Sequence, residues 1–571
     1  MEQTGTIQLR GAKLYCFIDE ENVFPAPSLE FLPGDKVLDN KFHSRLPQVT
    51  LGTVKKIIKG EVYFHLPFFG PACSSTFKAI PLENYATVGS RYILEFPSDT
   101  VQPRIVSAFS AAEEDDVPLL KAIYTHPFTR TSYLYDKQNN LYTKELIDHT
   151  DLFTITIDPD TAKDFDDAIS WNEETREVFI HIVDIAGHPL SHEEESKLRN
   201  RCQTLYLGHH DTLHLLSEEN ASNTLSLIEG QPRHTITVRV KLSETGLVEH
   251  YDIYPSVINV NKRLTYNEAT DYIPKWLFDL LAFRESNVSY SIHLPSLSFT
   301  QDSQLIRTDT SDFAHKFVTH CMILANMVVS KHLLTNNIHL PNRFHDKLRG
   351  FRPLSPDEMS RVFNSTHPPG DSPSTTPERR VELKPLELTD QAYVNSFLLL
   401  KRYARAKYAI DEHGHFGLGL TDYCHFTSPM RRYADVLVHR LLAGWSIPKE
   451  VLEEQVDWIN IREGLSDASH RYYHGWKMNR YIQSFGNEKA WDVWITGVVP
   501  SGCLWFLPEL NLNGFCFVGQ LLPTARWTLN GDILESISGS FKVGDHCLGY
   551  FYGIDPSTYA VNLRVLTLSI N

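Results

Sequence analysis

Five aspartates fall within ten residues of this chain, in the run Thr156-Ile157-Asp158-Pro159-Asp160-Thr161-Ala162-Lys163-Asp164-Phe165-Asp166-Asp167-Ala168. Apolar segments that should be buried bound the run on both sides. Like charges packed beside a core are unfavourable unless a cation neutralises them. Short hard carboxylates are the ligands that Mg²⁺ prefers, and such an ion can activate a water against a phosphodiester. A solvated acidic turn is the plain alternative. A calcium loop of the EF-hand type fails on spacing. Counted from Asp158, position five is Ala162 and position six is Lys163, where a glycine is needed.

A second segment complements the first. Between residues 401 and 440, Lys401, Arg402, Arg405, Lys407, Arg431, Arg432 and Arg440 outnumber Asp411, Glu412, Asp422 and Asp435. Tyrosines and phenylalanines interleave with the charge, which suits phosphate neutralisation with base stacking. The same arginines could instead pair with an acidic surface. The window stands out because the whole chain has 54 Lys+Arg against 70 Asp+Glu, a formal charge of −16. That balance argues against coating polyanions through diffuse basic charge, so any nucleic acid must meet a local surface.

Other classes fall away. Residues 1–20 lack a basic region followed by an apolar core, so no secretory signal is expected. The apolar stretch Val318–Leu334 is broken by His320, Asn326, Ser330 and Lys331 and reads as a buried helix, not a membrane span. Eight cysteines without a CxxC pair speak against a zinc ribbon or a disulfide scaffold and for a reducing, intracellular compartment. His209, His210, Asp211 and His214 offer zinc ligands but no HExxH motif accompanies them. Neither a P-loop nor a G-x-S-x-G elbow is present.

At 571 residues the chain should hold roughly three to five domains. Short β-type runs before residue 110 suggest small barrels or sandwiches, and Glu113–Asp116 a solvated linker. Residues 151–485 mix strands such as Val178–Val183 and Ile236–Leu242 with long helices. One helix is expected from a cap at Ser311 to Leu334, another over Asp390–Tyr408, and a third from Arg431 past His439. Residues 364–378 read as a mobile loop. From Trp491 onward, short strands and glycine turns suit a five-stranded OB barrel. That segment is acidic, so any nucleic acid would be gripped there by aromatics such as Trp494, Trp505, Phe515 and Phe517, several of which read as core.

The aspartate run closely resembles the metal-binding signature of the ribonuclease II family, which includes bacterial ribonucleases II and R and the catalytic subunit of the eukaryotic exosome. Gly414-His415-Phe416-Gly417-Leu418, Tyr423 and the run His425-Phe426-Thr427-Ser428-Pro429-Met430-Arg431-Arg432-Tyr433-Ala434-Asp435, with His439-Arg440, resemble its second signature. Arg201–Leu216, Lys262–Tyr266 and Asn342–His345 also fit. The resemblance implies an α+β multidomain protein, a central mixed α/β RNB catalytic domain flanked by OB-fold β-barrels. Two cold-shock-like units would cover 1–57 and 58–110, a linker 111–150, the catalytic domain 151–485 and a C-terminal OB domain 490–571. No endonuclease-type domain is expected ahead of them.

The implied activity is processive 3′→5′ hydrolysis of single-stranded RNA to nucleoside 5′-monophosphates with Mg²⁺, which Mn²⁺ would replace. Asp158, Asp164, Asp166 and Asp167 would hold the metal, and Asp166, Arg431 and Tyr206 would be catalytic. Tyr206, Tyr266, Phe299, Arg432, His425 and Ser428 would contact RNA. A monomer in the cytoplasm, able to join RNA-decay complexes and with no membrane partner, is the corresponding expectation. The family's carboxylates before the methionine at 322 are replaced by Thr319-His320-Cys321, which keeps a DNA nuclease open. A catalytically weak RNA-binding scaffold on the same fold is the rival, against which the intact aspartates and Arg431 argue.

Overall fold

The computed structural model describes residues 4–109 with short breaks, 117–125, 136–137, 145–279 apart from 208–211, parts of 294–308, 313–346, and 390–567 with short breaks. The expected linker at 113–116, the cap at Ser311, the loop at 364–378 and three of the four suggested zinc ligands lie outside the described residues.

Two five-stranded sheets begin the chain. The first holds Thr4–Arg10, Lys13–Phe17, Val23–Pro25, Lys36–Leu38 and Lys41–Ser44. In the second, Gln48–Ile58 pairs with both Glu61–His65 and Arg91–Phe96. The break between the sheets therefore falls ahead of Gln48, not at 57–58. Ile7 and Val37 of one sheet and Val54, Phe64 and Leu94 of the other share one apolar cluster.

A seven-stranded sheet organises the centre. Its strands are β1 (Ile147–His149), β2 (Ile155–Ile157), β3 (Asp167–Asn172), β4 (Glu177–Val183), β5 (Pro232–Leu242), β6 (Val248–Asn259) and β7 (Lys262–Leu264). They lie in the order β1-β6-β5-β4-β3-β2-β7. The β1–β6 and β2–β7 pairs are parallel and the others antiparallel. Every residue of β4 is buried, as a strand covered on both faces requires. Val178, Ile180 and Ile182 meet Phe317, Cys321, Leu324 and Val328 of a long helix on one face. His181, on the other face, bonds Ser170 and Thr237.

Four helices matter for the site. Helix α1 (His192–Arg201) starts on a reciprocal Ser191/Glu194 cap. Helix α2 (Phe313–Thr335) is, among the described residues, the single helix long and apolar enough to cross a membrane. It is also the helix laid across the sheet, in agreement with the buried helix expected at 318–334. Helix α3 (Tyr433–Leu442) is buried along its whole length, and α4 (Lys449–Gln483) runs for 35 residues.

The helix expected over 390–408 is shorter. It covers Asp390–Leu400, after which Lys407–Ala409 forms a strand against Asn342–Phe344. The tertiary pairing wins there over helical composition, and Asn460 of α4 holds Tyr408 by both its backbone N–H and its carbonyl. From Ala490 a six-stranded sheet and a three-stranded one follow. Trp491 and Trp505 are buried in their core, while Phe517 is exposed.

Candidate active site

The aspartates sit where strands end. Asp158 follows β2, and its N–H donates to the Leu264 carbonyl at 3.0 Å, so the parallel β2–β7 pair carries it. Asp167 opens β3, and Asp166 stands immediately before it. The loop between them is clamped from below: Ser226 Oγ accepts the Phe165 N–H at 3.0 Å and donates to the Lys163 carbonyl at 2.9 Å. A hydrophobic sheet thus fixes the ends, and one serine fixes the middle.

The second signature segment closes over this loop. Asp166 is 4% exposed, and its Oδ1 accepts the Met430 N–H at 2.9 Å. Its Oδ2 lies 3.6 Å from Arg431 Nε. Arg431 Nη2 donates to Ser428 Oγ at 2.9 Å. Arg432 is committed elsewhere, since its Nε and Nη2 both bond Asp435, whose other contact is the Ser428 N–H. That pair holds the turn from which Arg431 projects.

Residues 202–206 are strapped to the same turn. Thr204 N–H donates to the Arg431 carbonyl and Tyr433 N–H to the Cys202 carbonyl. The strap delivers Tyr206, whose hydroxyl donates to Asp164 Oδ2 at 3.1 Å. Burial and the neighbouring Asp164 push that phenol well above its ordinary range, so it stays a donor.

These groups line a cavity of about 980 Å³ that takes in Asp158, Asp164, Asp166, Asp167, Tyr206, Tyr266, Phe299, His425, Ser428, Arg431 and Arg432. The residues that the resemblance implied as metal-holding, catalytic or RNA-contacting therefore border one space. They differ in how they stand there. Tyr266 is stacked on His315, ring centres 3.5 Å apart. Phe299 is 7% exposed and shares the core of the C-terminal sheets, reaching the cavity beside His474. Asp160, the fifth aspartate of the run and not one of the four that the resemblance implies as metal ligands, turns outward, its side chain 88% exposed and paired with Arg263.

Charge inside the cavity is poorly balanced. Burial, with Asp167 next, pushes Asp158 up to about 8, although Arg263 works the other way. Burial likewise holds Asp166 at about 8 against the pull of Arg431, and Asp167 at about 6. Asp158 Oδ2 is buried without a hydrogen-bond partner. Among the described residues no three His, Cys, Asp or Glu side chains converge as a finished ligand set. Crowded carboxylates with an orphaned oxygen still suit a hard divalent cation, whose charge would draw them in.

Several cavity residues escaped the sequence reading. His470, Tyr473 and His474 come from one face of α4 at positions i, i+3 and i+4, a periodicity that was available but carried no signature. Asn326 of α2 is buried, donating to Tyr423 Oη and accepting the Phe426 N–H. Thr319 and Met322 of α2, in the stretch the sequence did single out for its missing carboxylates, also reach the cavity.

The model of the RNB domain matches residues 146–277 and 279–446. Ribonuclease R of Chlamydia pneumoniae is 27% identical over 431 residues, which cover 70% of this chain and 62% of that protein. Ribonuclease R of Chlamydia muridarum is 25% identical over 581 residues, covering 93% of this chain and 81% of that one. Among solved structures, Mycoplasma genitalium RNase R in complex with ribose-methylated single-stranded RNA superposes with a TM-score of 0.70 at 18% identity. That match covers 98% of this chain and 100% of the other, and it establishes the fold. With the RNB match spanning more than half of the 571 residues, the chain belongs to the RNB-domain, or ribonuclease II, family.

Proposed function

We propose that the chain is a processive 3′→5′ exoribonuclease that hydrolyses single-stranded RNA to nucleoside 5′-monophosphates with Mg²⁺, or Mn²⁺ in its place. One observation carries the reading: four aspartates and Arg431, from segments far apart in sequence, face one cavity. The two Ribonuclease R relatives support it by their names.

Asp158, Asp164, Asp166 and Asp167 would hold the metal, which when bound supplies an activated water and charge stabilisation. Arg431 would meet the scissile phosphate, because Ser428 orients its guanidinium at the cavity while Arg432 is spent on Asp435. Tyr206 orients the terminal nucleotide, and Tyr266 and Phe299 present rings to bases. His425, Ser428 and Arg432 line the path. The flanking sheets act as OB-type units that guide the strand. A single chain encloses the cavity, so a monomer suffices, placed inside the cell, where decay complexes are natural partners.

The test uses 5′-labelled single-stranded RNA and the matching DNA with Mg²⁺ or EDTA. RNA should shorten in Mg²⁺ alone and end in a short residue, with nucleoside 5′-monophosphates released. Asp166→Asn should lower the rate at least ~10³-fold while RNA binding stays within a few-fold. RNA untouched in Mg²⁺ would leave the binding-scaffold reading; equal decay of DNA would leave a general nuclease.

A further inference from the structure

His425 presents one ring nitrogen to the cavity for which the proposed chemistry supplies no role. Its other nitrogen, Nδ1, lies 2.7 Å from the Tyr408 hydroxyl. Tyr408 is 4% exposed, pinned at its backbone by Asn460, with the Arg343 guanidinium 4.5 Å over its ring. Burial pushes that phenol upward, so it keeps its proton. Among the described residues Nδ1 is the one acceptor placed for that hydrogen. Nδ1 therefore accepts, and the imidazole proton sits on Nε2.

The ring also stays neutral. Burial, then the charges of Arg432, Arg343 and Arg431, hold it far below the ordinary histidine range. The other neighbours, His415, Tyr408 and Tyr423, carry no charge that would reverse this. His425 is half-buried, and Nε2 is not among the buried polar atoms left without partners, so this edge opens on the cavity.

A neutral N–H among arginines adds little to the attraction for phosphate. What it adds is direction: with Arg431 in the same cavity to answer phosphate charge, a fixed neutral donor is best matched by an uncharged oxygen. Resting on the exoribonuclease reading, we propose that His425 Nε2–H donates to a ribose hydroxyl near the 3′ end of the strand, with Tyr408 as the positioning residue. Thr427 and Ser428 line the same wall and offer oxygens for the hydroxyl's own hydrogen. A site built to bond a hydroxyl rejects the analogue that lacks it, because its polar group is left unpaired. The pair is thus a determinant of RNA over DNA.

The experiment measures dissociation constants by fluorescence anisotropy on the full chain carrying Asp166→Asn. The probes are a short 5′-labelled RNA and the same strand with a single 2′-deoxynucleotide at each 3′-terminal position in turn. One position should cost about three- to tenfold in affinity. Adding His425→Phe should weaken the all-ribose strand to that level and leave the deoxy strand unchanged. Tyr408→Phe should shrink the penalty, and His425→Gln, whose amide keeps an N–H, should retain part of it. Equal losses on both strands, or no position with a penalty, overturn the proposal. Thermal melts identify a misfolded His425→Phe, in which case Tyr408→Phe and His425→Gln decide by the same ratio. The two readings fail separately. Wild-type protein that discriminates the hydroxyl but leaves RNA intact sinks only the exoribonuclease reading. Hydrolysis without His425-dependent discrimination sinks only this one.

Discussion

At the smallest scale the site is set by Arg431 and by the buried carboxylates beside it. Arg431 donates to Ser428 and sits near Asp166, so its guanidinium is aimed before any substrate arrives. Arg431→Ala should cut kcat ~10²–10³-fold with a smaller change in KM, read from steady-state decay of a labelled RNA. A loss confined to KM would make it a mere binding residue. The carboxylates make a second prediction. Asp158 and Asp166 are raised to about 8, so the metal-free fold takes up protons on folding. Their contribution is fully present below the unfolded pKa of about 3.8 and is lost as pH rises through about 8. Mg²⁺ removes that handicap, so the gain in Tm over EDTA should widen from pH 6 to pH 8. A gain that does not grow with pH would show that these aspartates do not hold the ion. At this scale the sequence was informative, because the resemblance to the family signature singled out Asp158, Asp164, Asp166 and Asp167 as candidate metal ligands and left Asp160 aside. The places of Tyr408 and His474 were not legible, since their contacts with His425 and with Phe299, which line the cavity, are made only in the fold.

Among elements, β4 shows what a pattern cannot reveal. Its apolar residues predicted a buried strand, and their side chains cover α2 as expected. Its other face holds a polar ladder, Thr154–Ser170–His181–Thr237–Ser256, each member hydrogen-bonded to the next. Nothing in a single strand announces that five neighbours will satisfy one another across the sheet. Burial, with His149 adding to it, lowers His181 to about 3. The sign is the reverse of the aspartates. Stability is present above the ordinary histidine value of about 6.5 and is lost as pH falls toward 3, at about 1.4 kcal/mol per pH unit at most. Urea unfolding of wild type and His181→Gln side by side isolates this term, because the aspartates are common to both: between pH 7 and pH 5 the wild type should lose more stability than the variant, by up to that slope. An unchanged slope would place the acid sensitivity elsewhere. The shortened helix at 390–400 teaches the same lesson, because Asn460 and the Asn342–Phe344 strand claim residues whose composition favours a helix.

For the whole molecule, −16 was the figure that seemed hardest to reconcile with RNA. The structure keeps Arg431 inside a cavity, while Arg432, Arg440 and Arg343 are paired with acids. With these three arginines spent on acids, a grip confined to the cavity would neutralise few phosphates, and the affinity should then depend weakly on salt. A plot of log K against log salt should have a slope of about −2 to −4, well short of the values near −10 of proteins that neutralise many phosphates. A steep slope would mean that a basic surface outside the cavity carries the grip.

The strap between residues 202–206 and 431–433 bears on inheritance. Asp166 reaches Met430, Arg431 reaches back to Thr204, and Tyr206 returns to Asp164. Three stretches of chain thus close a ring, and none of them is a separable cassette. Transplanting residues 425–440 alone from a relative should spoil a chimera, whereas moving all three stretches together should preserve it. Sequence change in this molecule is free between the links and must be concerted at them.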